Sequence, residues 1–345
     1  MTTTRTVDQP PVKVEARQPL AALLRARELP VSVALIALIA ITFALNPLFL
    51  SPQGVKDLLL NATIMMILAV GQAIVIITRN VDLSVGSMLG LVAFTVGTLF
   101  ATQPAIPIWM VFVICIVMGA ALGAVNGALV TLAKVPALVI TLGTLYVFRG
   151  VNNAWAGGKQ YFAGDRPVEF GNLSVNTFLG LPWITIVAIV VIAAAGIALG
   201  RTRAGRDLYA IGSDPAAALM FGIPVRSRVF TAFVVNGALT GLAAVLYASR
   251  FNSVGATTGS GLELEVVAAA VVGGVAIFGG SGTPLGAAIG ALLLTTITSS
   301  LTALRVDKFW QQAIVGVLIL ASVMVDRIVS LRNARKLRLS EARNG

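Results

Sequence analysis

The chain carries few residues that could perform covalent chemistry. It has no histidine and a single cysteine, Cys115, which lies inside an apolar run. The lack of histidine excludes imidazole metal ligands and both Ser-His-Asp and Cys-His catalysis. Cys115 has no partner for a disulfide within the chain, so we interpret it as a packing residue. We therefore expect no catalytic residue, no metal site and no cofactor, and the chain is not predicted to be an enzyme.

Three acids and two amides remain as candidates for gating or for lining a solute pathway. Asp82 opens the sequence DLSVGS, so it either caps the following helix or acts as a gate. Glu263 and Glu265 open a later apolar run, where they either cap that helix or accept hydrogen bonds from a polyhydroxylated solute or a docking protein. Asn126 and Asn236 lie inside apolar runs. We expect each to hydrogen-bond across helices, and the alternative is that they line a polar path.

The composition shows what kind of protein must position these residues. Of 345 residues, 57% are hydrophobic and 11% are charged, and the mean hydropathy is +0.92. Soluble domains carry about 25% charged residues, which excludes a soluble enzyme. The net charge of +11 does not indicate nucleic-acid binding, because the basic residues lie between apolar blocks, where they act as topology signals. The partner that this composition predicts is the lipid bilayer.

Stretches without charge predict an all-α membrane protein with about ten transmembrane helices. A charge at the bilayer centre costs at least about 2.5 kcal/mol, so uncharged stretches mark the crossings. They are residues 29–55, 58–78, 83–133, 135–148, 170–200, 229–249, 266–304 and 309–325. Two of them are long enough for two crossings, with turns at 101–107 and 279–284. Glycines four residues apart predict close helix packing: Gly86 and Gly90; Gly119, Gly123 and Gly127; Gly196 and Gly200; Gly237 and Gly241; Gly286 and Gly290.

The loop charges predict that both termini are cytoplasmic. Most of the 25 Lys and Arg residues fall in the tails and in alternate loops, as the positive-inside rule requires. We divide the chain into a cytoplasmic tail at 1–30, a transmembrane domain at 31–329 and a basic cytoplasmic tail at 330–345. Within the first tail, residues 18–29 form either a surface helix or a disordered leader. The largest exterior loop spans 156–180, and the largest interior loop spans 201–228.

The interior loop, RTRAGRDLYAIGSDPAAALMFGIPVRSR, contains the signals of a short helix. Asp214 and Pro215 are typical of an N-cap and a first helical position, and Gly222 is typical of a helix end. A helix of two turns is unstable alone, so it needs a partner surface, either the base of the bundle or a second protein. The chain has no phosphate-binding loop. If it pumps a solute, another chain must hydrolyse the nucleotide.

Four segments in order resemble one family of membrane proteins. They are NVDLSVGS, NGALVTLAKVPALVITLGTLYVFRG, GRDLYAIGSDPAAALMFGI and LELEVVAAAVVGGVAIFGGSGTPLGAAIGALL. Together they resemble the permease of carbohydrate-type ABC importers, the ribose and xylose group, over about residues 58–326. The resemblance implies the ABC importer permease fold and a multi-pass location in the inner membrane of a bacterium. It also implies three protein partners: a separate ATPase subunit, an extracytoplasmic sugar-binding protein, and a second permease copy or paralogue.

The same resemblance assigns the ATPase-coupling element to the interior loop, at Gly205, Arg206, Tyr209, Asp214, Ala216, Ala217 and Gly222. Two segments depart from the family pattern. In the first, Arg79-Asn80-Val81 stands where the family usually has a pair of glycines, and this version is similar to the permeases for rhamnose or autoinducer-2. In the second, Asp214-Pro215 replaces the Asn-Glu that usually opens the coupling helix. The expected function is import of a monosaccharide or sugar-like solute of the ribose, xylose, rhamnose or autoinducer-2 type. The alternatives are a stand-alone secondary carrier or channel for a neutral polar solute and, least favoured, an intramembrane enzyme.

Overall fold

A computed structural model describes residues 29–133 and 135–307, together with 310, 311, 313, 314, 316, 317, 320 and 324. Most of the predicted N-terminal tail, with its surface helix, lies outside the described residues, as does the basic tail at 330–345. The described residues are mostly helical. They contain twelve α-helices, two short 3₁₀ turns and two small antiparallel sheets.

The first helices of the described part are α1 (Leu29–Leu45), α2 (Pro52–Ile77), α3 (Val85–Thr102), α4 (Ile108–Ala133) and α5 (Ala137–Ala156). The segment predicted as the largest exterior loop, and the residues directly after it, contain β1 (Gln160–Phe162), α6 (Val168–Val175), β2 (Thr177–Phe178) and β3 (Leu181–Pro182). The second half contains α7 (Trp183–Arg201), α8 (Arg203–Ser213), α9 (Pro215–Met220), α10 (Val225–Arg250), β4 (Ser253–Gly255), α11 (Leu262–Val272) and α12 (Pro284–Ala303). Strand β1 pairs with β4, and β2 pairs with β3.

Six helices of the described part, α2, α3, α4, α7, α10 and α12, are long and apolar enough to cross a membrane. They agree with an all-α membrane protein, and the count of about ten crossings stays a prediction. The predicted double crossing at 83–133 is confirmed as two helices, α3 and α4, separated at residues 103–107. Helix α1 is apolar and has 17 residues.

The stretch at 266–304 differs from the expected two full crossings. Helix α11 has 11 residues, which gives it a length of about 16 Å, half of the roughly 30 Å hydrocarbon core. Its N-terminus follows a non-helical segment at 251–261, which consists of the strand β4 and turns, and its C-terminus leads into a loop at 273–283. Non-helical backbone of this kind is stable at membrane depth only where protein covers it.

Helix α2 forms the centre of the bundle. Nearly all its residues from Leu58 to Ile77 are buried, and α7, α10, α11 and α12 pack around it. Its apolar residues occupy every face, which is typical of a helix that is surrounded on all sides. The polar exception near its end is Gln72, which is fully buried.

Glycines make a very close helix contact between α4 and α10. A Cβ atom at Gly237 would collide with the carbonyl of Gly119 and the backbone of Gly123, and one at Gly241 would collide with the carbonyl of Cys115. The predicted close packing is therefore confirmed here, and these two stripes face each other. Gly196 and Gly200 on α7 have no neighbour within 4 Å, so that stripe packs on nothing in the described part of the chain.

We expect Gly237→Ala to destabilise the protein by about 1–3 kcal/mol, because the added methyl group has no space between α4 and α10. Gly200→Ala is the matched control. It adds the same methyl group to a helix with open space around it, so stability should stay equal or rise slightly. Thermal unfolding of both purified variants in detergent measures the difference. Equal melting temperatures would show that the glycine contact does not limit packing.

Candidate functional site

The short helix α9, in the predicted interior loop, forms as its sequence predicts. The Asp214 carboxylate accepts hydrogen bonds from the backbone N–H groups of Ala216, at 2.9 Å, and Ala217, at 3.2 Å. Pro215 occupies the first position of the helix. Gly222 has a φ of 75°, in the left-handed region that favours glycine, and its N–H donates to the Leu219 carbonyl. The N-cap and the termination of α9 are thus confirmed.

Helix α8, which the sequence analysis did not predict, holds α9 on the base of the bundle. Gly205 lies directly against the carbonyls of Ala198 and Leu199. The Tyr209 hydroxyl donates to the Gly282 carbonyl at 2.7 Å. Burial raises the pKa of the Tyr209 phenol, so it stays a neutral donor at physiological pH. Two of the predicted loop residues therefore face the bundle and fix α8 in position.

A second contact fixes the start of α10 to α8. The Arg228 guanidinium forms an ion pair with the Asp207 carboxylate at 2.8 Å. Ala218 on α9 is buried in the same region, in a cluster with Val75, Ile211 and Phe233. Helices α8 and α9 therefore sit on the ends of the long helices through several contacts, and a movement of α9 has to displace α8.

The outer side of α9 exposes three large apolar residues, which we name the apolar tip. The side chains of Leu219, Met220 and Phe221 are 61%, 89% and 85% exposed. Exposed apolar groups that adjoin one another are typical of a protein-docking surface. Arg206 is also exposed, and among the described residues its guanidinium donates only to the nearby Arg201 carbonyl, at 3.3 Å. The sequence analysis missed the tip, whose signal is three successive large apolar residues in a polar loop.

A fully buried polar cluster lies between the membrane helices, centred on Asp82. Asp82 Oδ1 accepts hydrogen bonds from the backbone N–H of Ser84, at 2.9 Å, and from its hydroxyl, at 2.7 Å. The Asn236 amide donates to Asp82 Oδ2 at 3.0 Å. The Asn126 amide donates to the Ser84 hydroxyl at 2.7 Å and to Asp82 Oδ1 at 3.3 Å. We name these four residues the Asp82 cluster.

The cluster confirms one prediction and corrects another. Asn126 and Asn236 hydrogen-bond across helices, as expected. Asp82 is not the N-cap of α3, because that position belongs to Ser84, whose side chain makes no capping bond. Asp82 lies two residues earlier and its carboxylate binds the N–H of Ser84 itself. Asn126 and Asn236 both donate hydrogen bonds to the Asp82 carboxylate. These bonds orient the carboxylate toward α4 and α10, away from the free amides in the first turn of α3.

The Asp82 carboxylate also lies further from the helix ends than the sequence predicts, because the crossings are predicted from stretches without charge. Asn236 lies 11 residues into α10, which places the Asp82 carboxylate about 16 Å along that helix. The sequence analysis found no acid near the centre of a crossing. The loop at 78–84 supplies one by folding inward between α4 and α10. In the amide orientation that satisfies both groups, Gln72 also binds the backbone N–H and carbonyl of Asp82, at 3.0 and 3.2 Å.

Such a buried carboxylate is stable only because donors surround it. An unpaired buried charge is too costly to retain, whereas one that accepts several hydrogen bonds is tolerated. The remaining amide oxygens of Asn126 and Asn236 are buried and have no hydrogen-bond partner in the described part of the chain. The cluster therefore binds loop 78–84 to both α4 and α10 and keeps two acceptors unused.

The two glutamates lie at the other break in the helices. Glu263 is the second residue of α11 and accepts from the N–H of Gly261 at 3.3 Å, which favours its capping role. Its Oε2 atom is buried against Gly86 and has no partner among the described residues. Glu265 is half-buried on the same helix. Neither glutamate joins the Asp82 cluster by a hydrogen bond within the described residues.

Arg149 and Asn152 support the non-helical segment that precedes α11. Arg149 donates to the Thr258 carbonyl at 2.6 Å, and Asn152 donates to the Ala256 carbonyl at 3.2 Å. The Cα atom of Gly90 leaves room for the Thr258 carbonyl, which a side chain there would displace. These contacts cover the free backbone groups of the segment, as its depth requires.

A polar cleft of about 400 Å³ opens beside the junction of α1 and α2 and the C-terminal end of α12. Its polar lining residues include Asn46, Asp57, Asn61, Thr298, Ser299 and Thr302, and Phe49 adds an aromatic ring. Asn61 and Ser299 make no side-chain hydrogen bond to any described residue. Amide, carboxylate and hydroxyl groups beside a ring suit a small hydroxyl-bearing molecule. Among the described residues, no cluster of three or more His, Cys, Asp or Glu side chains could hold a metal ion.

Comparison with known proteins identifies relatives over nearly the whole chain. Residues 54–323 match the family model described as branched-chain amino acid transport system / permease component. The autoinducer 2 import system permease protein LsrC of Enterobacter sp. (strain 638) is 38% identical over 94% of each chain. The proteins of that name from Klebsiella pneumoniae and Escherichia coli are 37% and 35% identical, over 94% and 90% of each chain. No solved structure matches the chain.

We expect Asn236→Ala to destabilise the protein by about 1–3 kcal/mol, because it removes the shorter of the two hydrogen bonds that the buried Asp82 Oδ2 accepts and leaves only the bond from Asn126, at 3.4 Å. Asn153→Ala is the matched control. Asn153 is exposed on α5 and its side chain makes no hydrogen bond in the described part. Thermal unfolding in detergent tests the difference, and a loss no greater than that of the control would contradict the assigned network.

Proposed function

The chain belongs to the family of branched-chain amino acid transport system / permease components, and on that premise we propose that it is the membrane-spanning permease of an ABC importer for a sugar-like solute. The observation that carries the proposal is the apolar tip. It stands on a capped helix that protrudes from the bundle. Such a helix needs a partner surface to cover it. A separate ATPase subunit is that partner, and the permease itself catalyses no reaction.

The substrate that we propose is autoinducer-2 or a sugar-like solute of similar chemistry. The support comes from relatives that are 35–38% identical over at least 89% of both chains and are named as autoinducer 2 import permeases. The chemistry of the chain agrees with a neutral polyol. The polar cleft presents amides and hydroxyls, and the Asp82 cluster has two unused acceptors.

We further propose a topology of about ten crossings with both termini in the cytoplasm of a bacterial cell, in its inner membrane. The asymmetry of Lys and Arg between the loops supports this orientation. Helices α8 and α9 then face the ATPase, and the loop from β1 to β3 faces an extracytoplasmic binding protein. A second copy of the chain, or a paralogue, completes the pathway.

In the proposed mechanism, ATP closes the two ATPase subunits and the closure displaces α9. Because α8 contacts the ends of α2, α7 and α10 and the loop at 273–283, the displacement reaches the helices that surround the Asp82 cluster. The solute path then opens to one side of the membrane at a time. Gly205, Arg206 and Tyr209 act at the base of this unit, and Asp214, Ala216, Ala217 and Gly222 maintain the shape of α9.

Reconstitution in vesicles tests the proposal against the alternative of a stand-alone carrier or channel. The purified chain is inserted alone, or with its ATPase and a binding protein on the outside, and uptake of labelled autoinducer-2 is measured. We expect uptake only with all components and internal ATP. Equal uptake by the chain alone, without nucleotide, would support the carrier or channel instead.

We expect Phe221→Glu to weaken ATPase binding by at least about tenfold, because burial of a large apolar side chain contributes about 1.5–3 kcal/mol and a carboxylate would oppose it. Leu179→Glu is the control. Leu179 is 89% exposed in the hairpin of β2 and β3, at the opposite end of α7. Titration of nanodisc-embedded permease with the ATPase measures both affinities. Unchanged binding of the Phe221→Glu protein would remove the tip from the interface.

A further inference from the structure

Arg79 connects the cytoplasmic helices to the loop that carries Asp82. It is the second residue of that loop, directly after the C-terminal end of α2, and its φ of 64° lies in the left-handed region. Few residues other than glycine adopt this conformation, which costs roughly 1–2 kcal/mol for a residue with a Cβ atom. A contact made by the side chain has to offset that cost.

The contact is with the C-terminal end of α8. Arg79 Nε donates to the Gly212 carbonyl at 2.6 Å, and its Nη2 atom donates to the Ser213 carbonyl. The last carbonyls of a helix lack partners within the helix, and they carry the negative end of its dipole. A guanidinium is a planar fork that can bind two of them at once. Arg79 is thus a cap for α8 supplied by a different part of the chain.

The backbone segments around Arg79 are in direct contact with one another. Gly212 lies so close to the Ile77 carbonyl and to Gly280 that no Cβ atom would fit. The Gly280 N–H donates to the Ile77 carbonyl at 2.9 Å, and Gly279 packs against the stem of Arg79. The end of α2, the end of α8 and the loop at 273–283 therefore meet at one junction.

The loop joins this junction to the Asp82 cluster over a very short distance. Asp82 is only three positions after Arg79, so the connecting backbone spans at most about 10 Å. At its far end Asp82 is bonded to Asn236 on α10 and to Asn126 on α4. At its near end Arg79 is bonded to α8, whose C-terminus leads directly into the cap of α9.

We propose that Arg79 is the positioning residue through which displacement of α8 and α9 moves loop 78–84 and with it the Asp82 cluster. Arg79 acts through Asp82 and contacts no solute. This inference rests on the proposed function, since it takes the ATPase as the source of the displacement. The bond from Tyr209 to Gly282 forms a separate connection from α8 to the loop at 273–283, and it remains when Arg79 is replaced.

Hydrogen exchange in the assembled complex tests the proposal. The permease is bound to its ATPase in nanodiscs, and amide exchange is measured with and without a non-hydrolysable ATP analogue. Segment 80–88 reports on the cluster, because the Ser84 N–H is bonded to Asp82. In the unmodified protein we expect the nucleotide to change exchange in this segment by at least about tenfold. Segment 214–222 should be protected by the ATPase itself.

We expect Arg79→Ala to abolish the nucleotide response of segment 80–88 while segment 214–222 keeps its protection. Arg79→Lys, which supplies a point charge instead of a fork, should retain part of the response. Arg226→Ala is the matched control. It removes an exposed arginine at the same end of the bundle whose side chain makes no hydrogen bond in the described part, and it should behave as the unmodified protein does.

The outcomes separate this inference from the proposed function. A full response of segment 80–88 in the Arg79→Ala protein, with segment 214–222 protected, overturns the role of Arg79 and leaves ATPase docking intact. A lack of protection of segment 214–222 in the unmodified protein overturns the docking on which both depend. Thermal unfolding is measured in parallel. If Arg79→Ala does not fold, Arg79→Lys decides, and a full response in that protein also overturns the proposal.

Discussion

A carboxylate without access to water constrains the centre of this protein. Asp82 is fully buried, and a polar group without access to water is stable only while it is hydrogen-bonded. Its partners come from three separate parts of the chain: Ser84 beside it, Asn126 on α4 and Asn236 on α10. The position of the loop and the spacing of the two helices are therefore coupled. A change in either one removes hydrogen bonds from a buried polar group that water does not reach.

Glycine packing makes this coupling possible. The two asparagine amides reach one carboxylate because α4 and α10 approach until their backbones touch at Gly119, Gly123 and Gly237. In a bilayer, apolar side chains gain little by leaving lipid, so close contact of this kind and polar bonds between helices hold the bundle together. The Asp82 cluster and the glycine contact lie along the same pair of helices, and each supports the geometry that the other needs.

Helices α8 and α9 extend the same principle to the function that we propose. A permease driven by a separate ATPase receives mechanical work from that subunit. The tip of α9 offers an apolar surface for that purpose, and α8 carries contacts inward through Tyr209 and Gly205. Rigid, short connections transmit displacement, whereas flexible ones would absorb it. The junction at Ile77, Gly212 and Gly280 is built from backbone in direct contact, and closely packed groups of this kind have low compressibility and transmit strain.

The sequence by itself determined the features that depend on neighbours along the chain. Uncharged stretches identified the long helices, and Asp214, Pro215 and Gly222 identified α9, because burial in lipid and helix capping act on local residues. The convergence of Asp82, Asn126 and Asn236 could not be found in this way, since 44 and 154 positions separate the bonded residues. Only the tertiary structure decided that an acid from a loop would reach the middle of α10, that α11 would be half a crossing, and that Arg79 would cap a helix distant in sequence. These features follow from which backbones can approach one another, and that is a property of the packed bundle as a whole.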